Sequence, residues 1–274
     1  MTKDMPIDMA LFEEAWSAAV SLLPNNNILN IISKAKQEPY KRTVLNLFGT
    51  KEKIPFAYDK ADLNFLYMNG VIDVEKTDDR KFYAKFPCPF VQKRLFHYFS
   101  DEIFDLADDL YDPFEDLDDV IDKNSLNVKN IVGLYRKYLA KNRGWILENA
   151  PRRSDMRVYE AVFHFNLYMY LSRFIGRFKG AVYPEFPTGN GKIDLLIQYA
   201  GKTHGIELKS YTDKPGYERA VGQAAAYGLG LGLKEIALIF FIERIDDPNR
   251  AKYETDFLDD KTGVRVTPVF VETG

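Results

Sequence analysis

An aspartate followed thirteen positions later by a Glu-Leu-Lys triplet marks the stretch between Gly189 and Tyr227 as the part of this chain best equipped for chemistry. The segment reads GNGKIDLLIQYAGKTHGIELKSY: two apolar runs, Ile193 to Tyr199 and Thr203 to Ser210, joined by Ala200-Gly201-Lys202. That pattern predicts a β-hairpin. Residues two apart on a strand share a face, so Glu207 and Lys209 point together while Ile206 and Leu208 point the opposite way. If the register sets Asp194 near Glu207, two carboxylates and one ammonium meet on one patch. Oxygen donors of this kind suit a hard divalent cation, which takes one or two carboxylates from a protein and completes its shell with water and phosphate. A lysine beside such a cation orients water and offsets developing negative charge. The bland alternative is a surface ion pair between Glu207 and Lys209, worth little. Asp194 tips the balance, because it precedes Leu195-Leu196-Ile197 in a strand too apolar to bury an unused carboxylate without cost.

The flanking segments supply the remaining polar candidates. From Ser154 the chain reads SDMRVYEAVFHFNLYMYLSRFIGRF, which predicts a helix to Phe178 capped by Ser154 or Asp155. It is apolar on nearly every side from Val158 to Leu171, and such a helix is buried. Glu160 is its charged exception, joined by His164 and Asn166. Downstream, Gln223 and Tyr227 lie four apart on a helix expected from Tyr217 to Gly230, a spacing equally suited to a hydrogen-bonded pair and to a site. His204 reads as an exposed strand residue, since hard cations prefer oxygen.

Taken in order, Asp194, Glu207-Leu208-Lys209 and Gln223-x-x-x-Tyr227 resemble the core of the PD-(D/E)XK nuclease superfamily, with Ile193 in place of the proline. A lone Glu-x-Lys occurs on any amphipathic strand; the ordered set is far more specific. The resemblance implies catalytic roles for Asp194, Glu207 and Lys209. It implies Mg²⁺ or Mn²⁺ held by Asp194, Glu207 and the Leu208 carbonyl, with Glu160 as a third acid and Glu185 competing for that place. Gln223 and Tyr227 become accessory groups beside the site. The implied activity is metal-dependent phosphodiester hydrolysis of nucleic acid, DNA in preference to RNA. The competing class is a catalytically inactive nuclease-fold module that binds nucleic acid or a protein partner.

Composition adds limits. The chain has 274 residues, 46% of them hydrophobic, one cysteine and a net charge of −3, enough for two cores. The single Cys88 excludes an internal disulfide and predicts a reducing, cytoplasmic setting. No apolar run approaches the roughly 20 residues of a membrane span. The weak negative charge hides a partition: residues 101–122 hold 11 acidic and no basic side chains, while residues 123–274 carry a net +6. The acidic block, with apolar residues at near-helical spacing, predicts a helical linker over residues 101–150 between domains at 1–100 and 151–274. It is also a candidate nucleic-acid mimic over a basic cleft.

The first hundred residues predict helices near Asp8 to Leu23, Asn26 to Lys36, Pro39 to Phe48 and Asp59 to Asn69, then strands at Val71 to Val74 and Lys81 to Phe86. Helices followed by a hairpin follow winged-helix order. The third helix of that order, with one lysine against two aspartates, is poorly suited to a DNA major groove. FLYMNGVIDVEK and KFYAKFPCPFVQKRLFHYF, followed by the nuclease-like core, resemble the C-terminal half of bacterial AAA-type ATPase fusion proteins. No G-x-x-x-x-G-K-[ST] motif occurs, so the ATPase core is absent, and an ATPase or other protein partner through the winged-helix region is expected. The fold class expected is α/β: a winged-helix-like domain, then a restriction-endonuclease-like mixed sheet flanked by helices. For that sheet the expectation is strand Ala181 to Phe186, the hairpin, strand Glu235 to Glu243, and strands at Tyr253 to Leu258 and Val264 to Glu272.

Overall fold

The computed structural model describes residues 25–49, 53–104, 117, 119–148, 150–188, 191–210 and 213–274. The chain forms two compact units, Met1–Tyr98 and Phe99–Gly274. The helix expected between Asp8 and Leu23, and most of the acidic block, lie outside the described residues.

In the first unit, α1 (Asn26–Ala35) starts where the Asn25 side chain accepts hydrogen bonds from the backbone N–H groups of Asn27 and Ile28, meeting two of the orphan donors of a helix start. Ile28, Ile32 and Ala35 bury one face of α1, Val44, Leu45 and Phe48 one face of α2 (Tyr40–Gly49), and Leu63 and Leu66 one face of α3 (Ala61–Met68). The sheet has order β1-β3-β2, all antiparallel, from β1 (Ile54–Pro55), β2 (Asp73–Lys76) and β3 (Phe82–Lys85). β1 was not legible because two residues carry no period. Val71 and Ile72, expected in a strand, instead fill the core between α3 and β2.

The chain passes between the units along α4 (Pro89–Phe104). The second unit opens with the end of the acidic block, which is folded rather than loose: Val120 and Ile121 are buried, and the Asp122 carbonyl accepts a 2.6 Å hydrogen bond from the Tyr199 hydroxyl. α5 (Val128–Glu148) starts where the Asn127 side chain accepts from a first-turn amide, that of Asn130, and the helix runs through Gly144. α6 (Glu160–Arg177) starts later than expected. Ser154 and Asp155 belong to a loop closed by an Arg152–Val158 bridge, with Met156 at φ 67°. Twelve residues of α6 are buried, as a helix apolar all round requires.

Six strands follow in the order β4-β5-β6-β7-β9-β8: β4 (Ala181–Thr188), β5 (Gly191–Tyr199), β6 (Lys202–Ser210), β7 (Glu235–Ile242), β8 (Phe257–Leu258) and β9 (Arg265–Glu272). β6, β7 and β9 are parallel neighbours; β4, β5 and β6 form an antiparallel meander. α7 (Lys214–Gly230) starts at Asp213, whose side chain accepts from Gly216 N–H, with Pro215 in its first turn. Phe240 and Phe241 are adjacent on β7 and so face opposite sides. Phe240 stacks on Tyr217 of α7 and Phe241 on Phe163 of α6, which puts the two helices on opposite faces of the sheet at β7. That explains the unbroken apolar run of β7.

The strand expected at Tyr253 to Leu258 is only β8, preceded by a helix, α8 (Asp247–Tyr253), capped by Asp246. α8 is held by charge. Glu254 accepts from Arg136 of α5 at 2.6 Å, from Arg250 at 3.2 Å and from the Phe270 N–H at 2.7 Å, and Arg250 also reaches Glu272 at 2.9 Å. Among the described residues no helix is long and apolar enough to cross a membrane.

Phe240 is buried and stacked on both Tyr217 and Phe270. Phe240→Ala should lower unfolding free energy by about 3–5 kcal/mol, seen in urea titration as a lower midpoint at unchanged slope. Leu229→Ala, at an exposed position on α7, should stay within about 0.5 kcal/mol of wild type.

Candidate active site

The register of one hairpin assembles the site. β5 and β6 meet across a two-residue turn, Ala200-Gly201, whose φ angles of 49° and 71° both lie in the left-handed region. Such turns match the natural twist of paired strands. From it the ladder runs Tyr199↔Lys202, Gln198↔Thr203, Ile197↔His204, Leu196↔Gly205 and Leu195↔Ile206. Backbone pairing stops at Leu195↔Ile206, and beyond it the Asp194 side chain takes over, accepting the Leu208 N–H on Oδ2 at 2.7 Å, one residue past Glu207. β5 bends at this point: Ile193 and Leu196, three apart, pack in one core cluster, which a regularly alternating strand would not allow.

Both acids are deeply buried, Asp194 at 4% exposure and Glu207 at 0%. Lys209, two residues on and therefore on the same face as Glu207, places Nζ 3.3 Å from Glu207 Oε1. The same Nζ donates to Gln223 Oε1 at 2.8 Å, and Gln223 Nε2 donates to the Tyr227 hydroxyl at 2.6 Å. Gln223 and Tyr227 are thus a hydrogen-bonded pair on α7 and also the outer end of a chain that fixes the lysine. The arrangement departs from the surface-pair alternative in one decisive way. Glu207 has no solvent exposure, so Lys209 offsets a buried charge rather than an exposed one.

Glu160 stands at the start of α6 and accepts the Ser210 N–H on Oε1 at 3.0 Å, one residue beyond Lys209. The same oxygen lies 3.7 Å from His164 Nε2. Glu160 is therefore brought to the end of β6, where it holds the strand's last amide. Among the described residues no three His, Cys, Asp or Glu side chains are grouped to hold a metal ion. Glu185 is carried by β4, and its side chain is outside the described residues. His204, expected to be exposed, is half-buried, and burial pushes its imidazole below the usual range.

The donor set at the core of the hairpin is all oxygen: two carboxylates and the main-chain carbonyl between Glu207 and Lys209. That set fits a hard cation that draws only one or two carboxylates from the protein, and two acids meet that need. The contacts of Glu160 with Ser210 and of Lys209 with Gln223 had no signal in the sequence beyond the residue types, because both join segments that are distant along the chain.

Comparison of the chain with protein-family models, with curated proteins and with solved structures finds no match. The functional reading therefore rests on the geometry and on the motif resemblance.

The Leu208 N–H gives a test of this geometry that needs no assay of function. Asp194→Asn keeps an oxygen to accept that N–H, whereas Asp194→Ala leaves a buried donor unsatisfied. Without divalent ions, Asp194→Ala should unfold about 1–3 kcal/mol more easily than Asp194→Asn, measured by urea titration of the two variants side by side.

Proposed function

We propose that the second unit is a PD-(D/E)XK-type nuclease domain that hydrolyses phosphodiester bonds of nucleic acid, DNA in preference to RNA. One observation carries the reading. Asp194 accepts the N–H of Leu208, next to Glu207, and Lys209 reaches both Glu207 and the Gln223–Tyr227 pair. Of the residues named by the motif resemblance, Asp194, Glu207, Leu208, Lys209, Gln223 and Tyr227 lie along this line of contacts. The order of strands and the helix covering each face of the sheet are in keeping with it.

Asp194, Glu207 and the Leu208 carbonyl would hold Mg²⁺ or Mn²⁺. A bound divalent ion supplies Lewis-acid polarisation of a phosphate oxygen and makes water a better nucleophile at neutral pH. The protein's own groups do the rest. Lys209 positions a water for in-line attack and offsets the charge that grows on the phosphate oxygens. Gln223, fixed by Tyr227, restricts where the lysine can point, so little reorganisation is needed at the moment of reaction. Burial of the two acids excludes bulk water and strengthens each of these interactions. Glu160 holds the end of β6 in place and is the remaining acid at this end of the sheet.

For the first unit, three helices and a three-stranded antiparallel sheet support a winged-helix reading. α3 has Asp62 in its first turn, accepting a 2.8 Å hydrogen bond from Thr43, and carries no basic residue. Docking to an ATPase or another protein suits it better than reading a major groove.

Lys209→Ala should abolish cleavage of labelled DNA while leaving the rise in melting temperature with Mg²⁺ or Mn²⁺ largely intact, because ligand binding stabilises the folded state by mass action and the lysine is not a ligand. Asp194→Ala and Glu207→Ala should lose both. Glu160→Gln keeps an acceptor for Ser210 while removing a charge, so loss of metal affinity in that variant would assign it a ligand role. Wild-type cleavage by folded Lys209→Ala would overturn the mechanism. Binding of nucleic acid without cleavage, in wild type with either ion, would favour the inactive module.

A further inference from the structure

The loop that precedes α6 has features unexplained by the fold. It reads Pro151-Arg-Arg-Ser-Asp-Met-Arg-Val-Tyr159, with three arginines against one acid. The loop is built, not slack. Arg153 and Arg157 are joined by a 2.8 Å backbone hydrogen bond, the Met156 N–H reaches the Arg153 carbonyl at 3.0 Å, and Asp155 Oδ1 accepts the Arg157 N–H at 3.2 Å. Arg152 clamps it from below, donating to the Met156 carbonyl and to the Leu147 carbonyl, each at 3.1 Å. At the tip Met156 sits in the left-handed region, a conformation that costs a non-glycine residue energy and persists only where its surroundings impose it. What this rigid turn holds out to solvent is a large apolar side chain, 71% exposed, between two arginines.

Its position gives that display a meaning. β6 and β7 are parallel with Ser210 level with Phe241, so their C-terminal ends lie side by side. Glu160 meets the end of β6 at Ser210, and Arg157 meets Glu243, just past the end of β7, at 3.7 Å. The loop therefore stands over the strand ends that carry Lys209. The exposed pairs Arg157–Glu243 and Arg153–Asp155, at 3.7 and 3.8 Å, are solvated on both sides and are worth too little to hold the arginines against a better anion. Met156 is four residues from Glu160, at most about 14 Å of extended chain. A nucleic-acid strand advances about 3.4 Å per nucleotide, so the tip falls within about four nucleotides of a strand passing Glu160 at the end of β6.

We infer that the Arg153–Arg157 turn is a strand-engaging wedge: Arg153 and Arg157 contact backbone phosphates beside the scissile one, and Met156 inserts between neighbouring bases. Apolar side chains that unstack base steps while flanking arginines hold the backbone are an established mode of nucleic-acid binding. Arg152 is a positioning residue, its guanidinium spent on the two backbone carbonyls. The inference rests on the nuclease reading of the same site, and it names how that site grips its substrate.

The test uses the full chain carrying Asp194→Asn, so that the strand stays intact, and a labelled oligonucleotide with a fluorescent adenine analogue near its centre. Arg153→Gln and Arg157→Gln should each reduce the slope of log affinity against log salt by about 0.7–0.9, the value of one phosphate contact, and the corresponding lysine variants should restore it. Met156→Ala should keep the parent slope, bind more weakly, and lose the fluorescence rise that reports unstacking. Parent-like slopes and fluorescence in these variants, with metal-dependent cleavage by the wild-type chain, would overturn the wedge and leave the nuclease reading standing. Failure of the wild-type chain to bind or cleave any strand would overturn both.

Discussion

Two buried carboxylates at the end of one hairpin are the constraint around which the second unit is organised. Asp194 bonds the backbone of Leu208, the residue after Glu207, and both acids lie out of water. Each ionised acid in such a place needs a partner or a cation. Asp194 has the Leu208 N–H, and Glu207 has the Lys209 ammonium. These partners offset the charges of the two acids. The rest of the architecture keeps them there: a sheet with a helix on each face gives the acids no solvent to turn toward, and α7 holds the lysine so that it cannot follow its charge to the surface.

α7 does this because its inner face is small. Ala220, Val221, Ala224, Ala225 and Gly228 are its buried residues apart from Tyr227. A side chain added at Gly228 would come within 2.7 Å of Val264 Cγ1. A helix faced with such residues lies close to the sheet, and only then can a glutamine span the gap to a lysine on β6. Tyr227, one turn on, occupies the other end of that glutamine. Glycines and alanines on a helix are thus what give the Gln-x-x-x-Tyr spacing its reach.

The hairpin, its acids and its lysine were legible because a turn with a glycine, two apolar runs and three misplaced charges fall within twenty residues. The parallel strands β7 and β9 were legible from unbroken or alternating apolar runs. What could not be read depends on contacts that the local pattern does not show. α6 was expected to begin at Ser154 because a serine and an aspartate precede an apolar run, but Arg152 and Val158 pair across those residues and the turn they close defers the helix to Glu160. Local capping propensity lost to a competing bridge six residues wide. α8 was not anticipated, because its stability comes from Arg250 bonding to Glu254, Glu272 and the Phe270 carbonyl, groups the local pattern does not join.

The end of the β5–β6 ladder has a further consequence. Before Asp194 the chain of β5 pairs with β4, through Phe186↔Ile193, Pro187↔Lys192 and Thr188↔Gly191, and no longer with β6. The sheet forks there: one prong is the tip of the β4–β5 hairpin, the other is the end of β6 leading to Ser210. A fork in a sheet leaves backbone groups without ladder partners, which is costly unless side chains or a ligand meet them. Asp194 meets one from within the fork and Glu160 meets one at the end of β6, so the two acids that satisfy this backbone also mark the opening. A one-residue slip in the register would turn Glu207 and Lys209 to the opposite face, away from Gln223. The two left-handed residues of the Ala200-Gly201 turn, five pairs away, therefore control which face of the sheet carries Glu207 and Lys209.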